Sequence, residues 1–314
     1  MRRQSLIQRT IFDVASWEAD AEFGVFPQGA RAKDAVFAPE HPPEPVIVPG
    51  KRYLFKRSKR SYPDQFWAEI VAYRVGCLLG VDVTPTFAAW NSRTNQFAAL
   101  IEWFYDDGHE SFVMAGDFLQ QLHKDFDRKL GTQHNLLDNM RLLRMLTIPK
   151  VLAEPHWRQW WSDALLFDAL IGNTDRHQDN WGFIFIRSQQ KISCRLGPLF
   201  DNGTSLGHER FTNHVSRWTD SDYQRYISKG KHHVKWSLKD PIQGHFSLLQ
   251  RALEQWPDTR EAAQAKLNFS SDDLSDAVVD LLKLDAVIPL SNERLEFMLH
   301  LMRYRYTLLR ALLL

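Results

Sequence analysis

The amino-acid sequence predicts an α+β protein of two lobes, a small β-rich lobe followed by a larger helical one. Two observations support this prediction. Short apolar segments separated by turns occupy residues 20–60, whereas long apolar periodicities typical of helices dominate the later part of the chain. We place the first lobe at residues 1–105 and the second at residues 106–314, because Asp106-Asp107-Gly108 forms a turn between the two patterns.

The first lobe is predicted to combine short strands with one helix. Strands are expected at residues 23–26, 34–37, 52–56, 81–90 and 97–104. A helix is predicted over residues 64–79, because apolar residues recur at three- and four-residue spacing from Trp67 to Leu78. Gly80 follows at the position where a C-cap glycine is expected.

The second lobe is predicted to be mainly helical. Helices are expected near residues 115–128, 133–147 and 156–171, and an α-rich tail is expected from about residue 245 to residue 314. The segment from Trp157 to Ile171 is apolar on nearly every side, which indicates a helix buried inside the lobe. A β-hairpin is predicted from residues 181–186 and 191–196.

The composition is that of a soluble globular protein, with 44% hydrophobic and 25% charged residues. The 39 basic and 38 acidic residues nearly cancel, so no overall charge attracts the chain to nucleic acid or to an anionic membrane. Cys77 and Cys194 lie in apolar-rich stretches and are expected to be buried thiols. We find no signal sequence and no apolar stretch long enough to span a membrane, and therefore expect a cytoplasmic protein or a secreted effector that acts in a host cytoplasm.

Two polar segments carry residues suited to phosphoryl transfer. Asp175 and Asn180 lie five positions apart in a loop between a buried helix and a strand, so one could face a hydroxyl while the other ligates a metal. Asp201 ends an apolar strand before a glycine turn, where a carboxylate could join Mg²⁺ to phosphate. The alternative is a solvated turn rich in Asn and Asp. A zinc site at His177 is disfavoured because thiolates and a paired histidine are missing at ligand spacing.

These segments resemble those of the HipA-like serine/threonine kinases, whose fold is two-lobed and protein-kinase-like. The run from Ile171 to Phe183 resembles the catalytic loop of that family, with its D-x-H-x-x-N pattern, and the run from Leu199 to Gly203 resembles its metal-binding segment. Gly29-Ala30-Arg31-Ala32-Lys33 resembles the G-G-A-R-P-K phosphate loop. The D-R-H-x-x-N pattern also occurs in phosphoinositide kinases, whereas the phosphate loop favours the HipA-like group.

The resemblance implies the role of each site residue in a reaction that uses ATP and Mg²⁺. Asp175 corresponds to the catalytic base, and Asn180 and Asp201 correspond to Mg²⁺ ligands. His177 belongs to the catalytic loop, which we expect it to hold together by hydrogen bonds. Lys56 corresponds to the lysine that contacts the nucleotide phosphates, although a plain strand-end lysine is an alternative.

Further residues are implied to bind the nucleotide. Glu69 could pair with Lys56, or it could face solvent. Gly29, Ala30, Arg31 and Lys33 correspond to the phosphate loop, and the backbone of Glu102, Trp103 and Phe104 is expected to bind adenine. The loop departs from the family pattern at Gln28 and Ala32, and it lacks the serine that the family commonly phosphorylates there. We therefore expect any self-inactivation at Ser58 or Ser61, or control by a partner protein. The alternative for both serines is that they are plain surface residues.

Three functions remain open from the sequence. The first is a protein serine/threonine kinase, of toxin or effector type, with a protein substrate and an antitoxin or regulatory partner. The second is a phosphoinositide or small-molecule kinase, for which the basic segment 229–235 is a candidate acceptor surface, although a solvated loop is the favoured explanation of that segment. The third is a non-catalytic nucleotide-binding regulator. The sequence does not identify the phosphate acceptor.

Overall fold

The computed structural model describes residues 3–21, 33–152, 156–188 and 191–313. The strands in this part of the chain are β1 (Phe12–Asp13), β2 (Glu18–Ala19), β3 (Lys33–Phe37), β4 (Arg52–Arg57), β5 (Thr86–Asn91), β6 (Gln96–Glu102), β7 (Glu110–Met114), β8 (Gly182–Arg187) and β9 (Ile192–Leu196). The helices are α1 (Phe66–Leu79), α2 (Ala115–Leu122), α3 (Leu136–Thr147), α4 (Trp157–Ile171), α5 (Thr212–Val215), α6 (Asp220–Lys229), α7 (His245–Gln255), α8 (Arg260–Lys266), α9 (Ser271–Asp276) and α10 (Asn292–Leu313). Two 3₁₀ helices occupy Pro257–Thr259 and Val279–Lys283. The predicted strand at residues 23–26 lies outside the described residues.

The chain divides into two compact units. The first unit comprises Met1–Trp103, Asn202–Thr219 and Phe269–Arg303, and the second comprises Phe104–Asp201, Asp220–Asn268 and Tyr304–Leu314. Two later segments therefore belong to the first unit, although residue 105 is where the sequence pattern changes. Each is bound there by polar contacts: Gln65 Nε2 donates to the carbonyl of Gly203 at 3.0 Å, and Arg294 Nε pairs with Asp64 at 2.8 Å.

The first unit is built on a mixed sheet. Its described strands are ordered β1-β5-β6-β4-β3-β2, and their pairings are antiparallel except for the parallel pair β1–β5. One side of the sheet carries a core that includes Phe12, Tyr53, Phe55 and Leu100, all buried. The predicted strand 81–90 is shorter than expected, because only its second half pairs with β6.

The helix predicted over residues 64–79 is confirmed as α1, and nearly all of its residues are buried. It ends at Gly80, whose φ of 70° lies in the left-handed region that favours glycine. The close packing continues at Gly76, where a Cβ would lie 2.6 Å from Val83. This burial places α1 firmly against the strands that follow it.

The second unit contains a three-stranded sheet and a group of helices. The predicted hairpin is confirmed as β8 and β9, and β7 pairs with β8 to add a third strand. Sequence patterns missed β7 because all five of its residues are half-buried, which leaves no alternation of apolar and polar positions. They also missed α5 and α6, whereas α4 is buried as predicted, with Trp161 and Phe167 fully covered.

Two other expectations concern burial and membranes. Cys77 and Cys194 are buried free thiols, as predicted. Among the described helices, none combines the length and apolar character that crossing a membrane requires.

Candidate active site

The helix α4 carries a buried carboxylate just before the polar loop of the second unit. Asp168 is a charged residue between the apolar residues Phe167 and Ala169, and like them it is fully buried. The helix ends at Gly172, which adopts a φ of 69°. A Cβ at this glycine would lie 2.8 Å from the guanidinium carbon of Arg305, so both the turn and the packing require glycine.

Arg176 forms a two-pronged ion pair with Asp168. Its Nη2 donates to Oδ1 at 2.7 Å and its Nε donates to Oδ2 at 3.1 Å, and both side chains are 0% exposed. Burial raises the pKa of Asp168, but the Arg176 charge and hydrogen bonds from His232 and Arg176 outweigh it, so the net pKa is lowered. Asp168 is therefore ionised at neutral pH and anchors the arginine.

The same guanidinium brings the two predicted polar segments together. Nη1 of Arg176 donates to the carbonyl of Asn180 at 3.2 Å and to the carbonyl of Phe200 at 2.6 Å. One nitrogen atom therefore holds the end of the loop that begins at Asp175 next to the residue that precedes Asp201. This contact is the physical link between sequence segments that lie twenty residues apart.

Hydrogen bonds inside the loop orient Asp175 and Asn180. The side-chain oxygen of Asn173 accepts the N–H of Asp175 at 3.0 Å, and Nδ2 of Asn180 donates to the carbonyl of Asp175 at 2.6 Å. The Asp175 backbone is thus fixed from both sides. Because the amide nitrogen of Asn180 is used, its Oδ1 is the side-chain atom that remains for another ligand.

Three histidines support this loop. His177 accepts the N–H of Asp179 on Nδ1 at 3.1 Å, and its carbonyl accepts the N–H of Asn180. His232 donates from Nε2 to Asp168 at 3.0 Å, and its Nδ1 accepts the N–H of Val234, which fixes the tautomer. His245 donates from Nε2 to the carbonyl of Asn173 at 2.6 Å. Burial, aided by the Arg305 charge, lowers the pKa of His245 to about 3, so this ring is neutral.

Asp201 occupies an unusual backbone conformation. Its φ is 55°, a left-handed value that costs a residue other than glycine roughly 1 kcal/mol or more. The preceding Phe200 packs against Phe104 and Phe112, with ring centroids 5.3 and 5.5 Å away. This aromatic packing and the Arg176 contact hold the segment in place, and such strain is typical of functional sites.

The residues of the second unit suit a magnesium ion that is bound together with phosphate. Within the described ranges, no group of three or more His, Cys, Asp and Glu side chains could hold a metal ion on its own. Mg²⁺ commonly takes only one or two protein oxygens and fills its remaining positions with phosphate and water. The Asp201 carboxylate and Oδ1 of Asn180 offer oxygens of the type that such an ion takes, in agreement with the roles predicted for them.

The first unit holds the predicted lysine–glutamate pair. Nζ of Lys56 lies 2.7 Å from Oε1 of Glu69, and both side chains are 5% exposed or less. The other oxygen of Glu69 accepts the backbone N–H of Asn202 at 2.8 Å. Glu69 therefore does not face solvent: it connects the lysine on β4 to the main chain that follows Asp201.

A second lysine lies directly across from Lys56. Lys33 on β3 is the cross-strand partner of Lys56 on β4, and paired residues of antiparallel strands project from the same face. Opposed like charges on a sheet are unfavourable unless an anion compensates them. A nucleotide phosphate, the ligand that the sequence predicts for both lysines, is an anion of this kind. The remaining predicted loop residues, Gly29, Ala30 and Arg31, lie outside the described residues.

The predicted adenine-binding segment uses much of its backbone internally. The N–H of Glu102 donates to the carbonyl of Pro85 at 2.9 Å, and the N–H of Trp103 donates to the carbonyl of Arg52 at 3.0 Å. The Glu102 carboxylate also pairs with Lys51. Two of the three predicted backbone N–H donors are thus already used in hydrogen bonds within the protein. The N–H of Phe104 and the backbone carbonyl groups stay candidates for binding adenine.

Several supporting residues escaped the sequence analysis. Arg176, Asp168, His232 and His245 form the frame of the loop, yet only Arg176 lay in the motif, and it was given no role. A charged residue inside an all-round apolar helix was the available signal for Asp168, since a buried carboxylate needs a partner. No local pattern indicates the two histidines, which come from later segments of the chain.

A small lobe with a buried lysine–glutamate pair and a larger lobe with an Asp-Asn loop define a two-lobed, protein-kinase-like α+β protein. The solved structure of the proinflammatory kinase CtkA from Helicobacter pylori is similar to this one, with a TM-score of 0.71 and 17% sequence identity. The match covers 96% of this chain and 97% of the CtkA chain. This likeness shows the fold, as the sequence predicted.

The family model described as the HipA-like C-terminal domain matches residues 26–267, and the chain therefore belongs to this family. Among curated proteins, the serine/threonine-protein kinase CtkA of Helicobacter pylori is 28% identical over 149 residues, which is 46% of this chain. The alignment spans only 42% of that kinase. The solved complex of HipA, HipB and operator DNA from Shewanella oneidensis gives 14% identity over 93% of this chain and 65% of the other, with a TM-score of 0.42.

Proposed function

We propose that this protein is an ATP- and Mg²⁺-dependent kinase that phosphorylates serine or threonine hydroxyls of proteins. The observation that carries the proposal is the double hydrogen bond from Nη1 of Arg176 to the carbonyls of Asn180 and Phe200. It joins the loop that starts at Asp175 to the segment that ends at Asp201. A base and two oxygen ligands are thereby assembled on one frame, which is the arrangement that phosphoryl transfer uses.

Each residue then has a distinct task. The Asp175 carboxylate orients the acceptor hydroxyl and takes its proton. At the same time the hydroxyl oxygen bonds to the terminal phosphorus of ATP, and the bond from that phosphorus to the departing ADP breaks. Asn180 and Asp201 are the residues that would hold Mg²⁺, and the ion would neutralise charge on the phosphate oxygens. Lys56, oriented by Glu69, and Lys33 contact the nucleotide phosphates.

A protein acceptor is supported by two observations. The curated relative is named a serine/threonine-protein kinase. The basic segment 229–235, the one candidate for a phosphoinositide surface, is interrupted by His232 and Val234, which are 1% and 0% exposed. His232 is used to support the loop through Asp168, so the segment does not present a continuous basic face.

The proposal is tested by incubating the purified protein with Mg²⁺, radiolabelled ATP and a dephosphorylated cell extract, followed by phosphopeptide mass spectrometry. We expect new phosphoserine or phosphothreonine that depends on the wild-type protein. The matched control is Asp175→Asn, because asparagine keeps the size and shape of this half-buried side chain and removes its negative charge. Label on lipids or small molecules alone would reassign the acceptor, and equal labelling by the two proteins would refute the kinase proposal.

A further inference from the structure

The second unit contains a cavity that the proposed chemistry does not use. It has a volume of about 530 Å³ and lies where α3, the start of α4 and the end of α7 meet. Its lining includes Leu137, Met140, Arg144, Arg158, Trp236 and Trp256. None of these residues belongs to the Asp175 loop or to the Asp201 segment. We call this feature the α3 groove.

The floor of the α3 groove is apolar and adaptable. Trp236 and Trp256 are more than 90% buried and pack with ring centroids 6.2 Å apart, so they form a rigid base. Leu137 and Met140 are half-buried and face the space above it. Methionine adjusts its shape readily, which suits a site that receives an apolar side chain of a partner.

The apolar surface continues beyond the cavity along α3. Leu137, Met140, Arg144 and Ile148 follow one another at three- and four-residue spacing and therefore share one face of the helix. Ile148, at the C-cap, is 82% exposed. A surface that extends past the cavity in this way fits an elongated ligand better than a compact small molecule.

The charges of the α3 groove favour an acidic ligand. Arg251 stacks over Trp236 and pairs with Asp240 at 3.0 Å, and Arg158 lies 3.6 Å from Asp258. Arg144 is exposed and makes no ion pair with any residue that the structure describes. Counting the described residues alone, the lining thus keeps one uncompensated positive charge between apolar positions, where a carboxylate would find a partner.

We propose that the α3 groove is a docking site for a short acidic peptide segment, with apolar side chains flanking a glutamate or aspartate, in the protein that this chain phosphorylates. That this partner is a substrate rests on the proposed function, whereas binding of the segment does not. Such a docking site would recognise a substrate protein by a segment that is separate from the sequence around the phosphorylated serine or threonine.

The test is a phage-displayed library of random linear peptides, selected on the wild-type protein of residues 1–314 alone, so that the selection itself does not favour peptides that depend on Arg144. We expect peptides that combine acidic and apolar residues. Synthetic fluorescein-labelled versions should bind about tenfold more weakly to Arg144→Glu, and should also weaken with Met140→Gln. The matched control is Lys124→Glu, an exposed residue of the same unit that does not line the groove and makes the same change of charge.

Several outcomes would overturn the inference. Selected peptides without acidic residues, no retained peptides, or equal binding to wild type and Arg144→Glu would each do so, as would competition by ATP. A dimer in sedimentation that Arg144→Glu dissociates would assign the groove to a second copy of the chain. Peptide binding without any phosphoryl transfer would retain the groove and refute the kinase, so the two proposals fail separately.

Discussion

Arg176 and Asp168 form a fully buried ion pair in which two nitrogens of the guanidinium meet two oxygens of the carboxylate, at 2.7 and 3.1 Å. A third nitrogen of the same arginine holds the carbonyls of Asn180 and Phe200. The pair is thus a structural element of the site: both side chains are 0% exposed, and the arginine positions the end of the Asp175 loop and the residue before Asp201.

Arg176→Met should lower the free energy of unfolding by about 3–5 kcal/mol, because it leaves the Asp168 carboxylate buried without its cation. Arg176→Lys should retain more stability but lose activity, since a lysine cannot make the fork or reach both carbonyls. Urea unfolding and a kinase assay check both effects. The matched variant is Arg225→Met, whose arginine is 62% exposed and lies outside the α3 groove. Unchanged stability in Arg176→Met would contradict the role given to the pair.

Asp175→Asn and Asp201→Asn should each reduce phosphoryl transfer strongly without unfolding the protein. Loss of a general base costs roughly 10²–10⁴-fold, and loss of a metal carboxylate should cost at least as much. A third variant, Asp201→Gly, separates activity from stability. Glycine adopts the left-handed φ of residue 201 without strain, so this change should preserve or raise the free energy of unfolding while it removes activity. Turnover is compared with Asp125→Asn, the same change at an exposed position outside the α3 groove. Near-normal turnover in the first two variants would end the kinase interpretation.

Nucleotide affinity should depend on the two opposed lysines. Lys56→Met and Lys33→Met should each weaken binding of a nonhydrolysable ATP analogue in the presence of Mg²⁺, and Glu69→Gln should weaken it less because Glu69 acts through Lys56. Isothermal titration calorimetry measures the affinities, and Lys59→Met, at an exposed position of the same unit, is the control. Affinities equal to that of the wild type would remove both lysines from the phosphate site.

Stability should fall as the pH is lowered below about 6.5. His245 has a pKa of about 3 in the folded protein and an ordinary value of 6.5 when unfolded, so the unfolded chain binds the extra proton between these values. The contribution of neutral His245 is complete above pH 6.5 and is lost progressively towards pH 3. His245→Gln should flatten this dependence in urea titrations at several pH values. An equally steep dependence in the variant would show that other groups, such as His233 with its pKa of about 4, account for it.

Self-inactivation, if it occurs, should involve Ser58 or Ser61 rather than residues 24–33, which contain no serine, threonine or tyrosine. The Ser58 hydroxyl accepts the N–H of Phe66 at 2.9 Å, at the start of the helix that carries Glu69. A phosphate there would replace this hydrogen bond and disturb the helix start. Phosphopeptide mapping after prolonged incubation with ATP identifies the site, with Ser58→Ala and Ser61→Ala as matched variants. Ser16 is the nearest hydroxyl residue before residue 24. A phosphate there that abolishes ATP binding would contradict the placement of the phosphate loop at residues 24–33.

The sequence alone determined the parts of this protein that follow from local pattern. The helix α1 and its C-cap at Gly80, the buried helix α4 and the hairpin β8–β9 all appear as apolar periodicities bounded by turn residues, and they were predicted with small errors at their ends. The order Asp175, Asn180 and Asp201 was likewise visible, because the residues of a loop motif are close in sequence.

Only the tertiary structure decided which distant groups meet. The pairing of Asp168 with Arg176 and His232, the contact of His245 with Asn173, and the position of Lys33 opposite Lys56 join residues from separate segments. Strand β7 also depends on its partner β8, since its own residues show no alternation. The physical reason is the same in each case: a buried charge or an unpaired strand edge is stabilised by whichever partner packing brings to it, and local sequence patterns do not encode that partner.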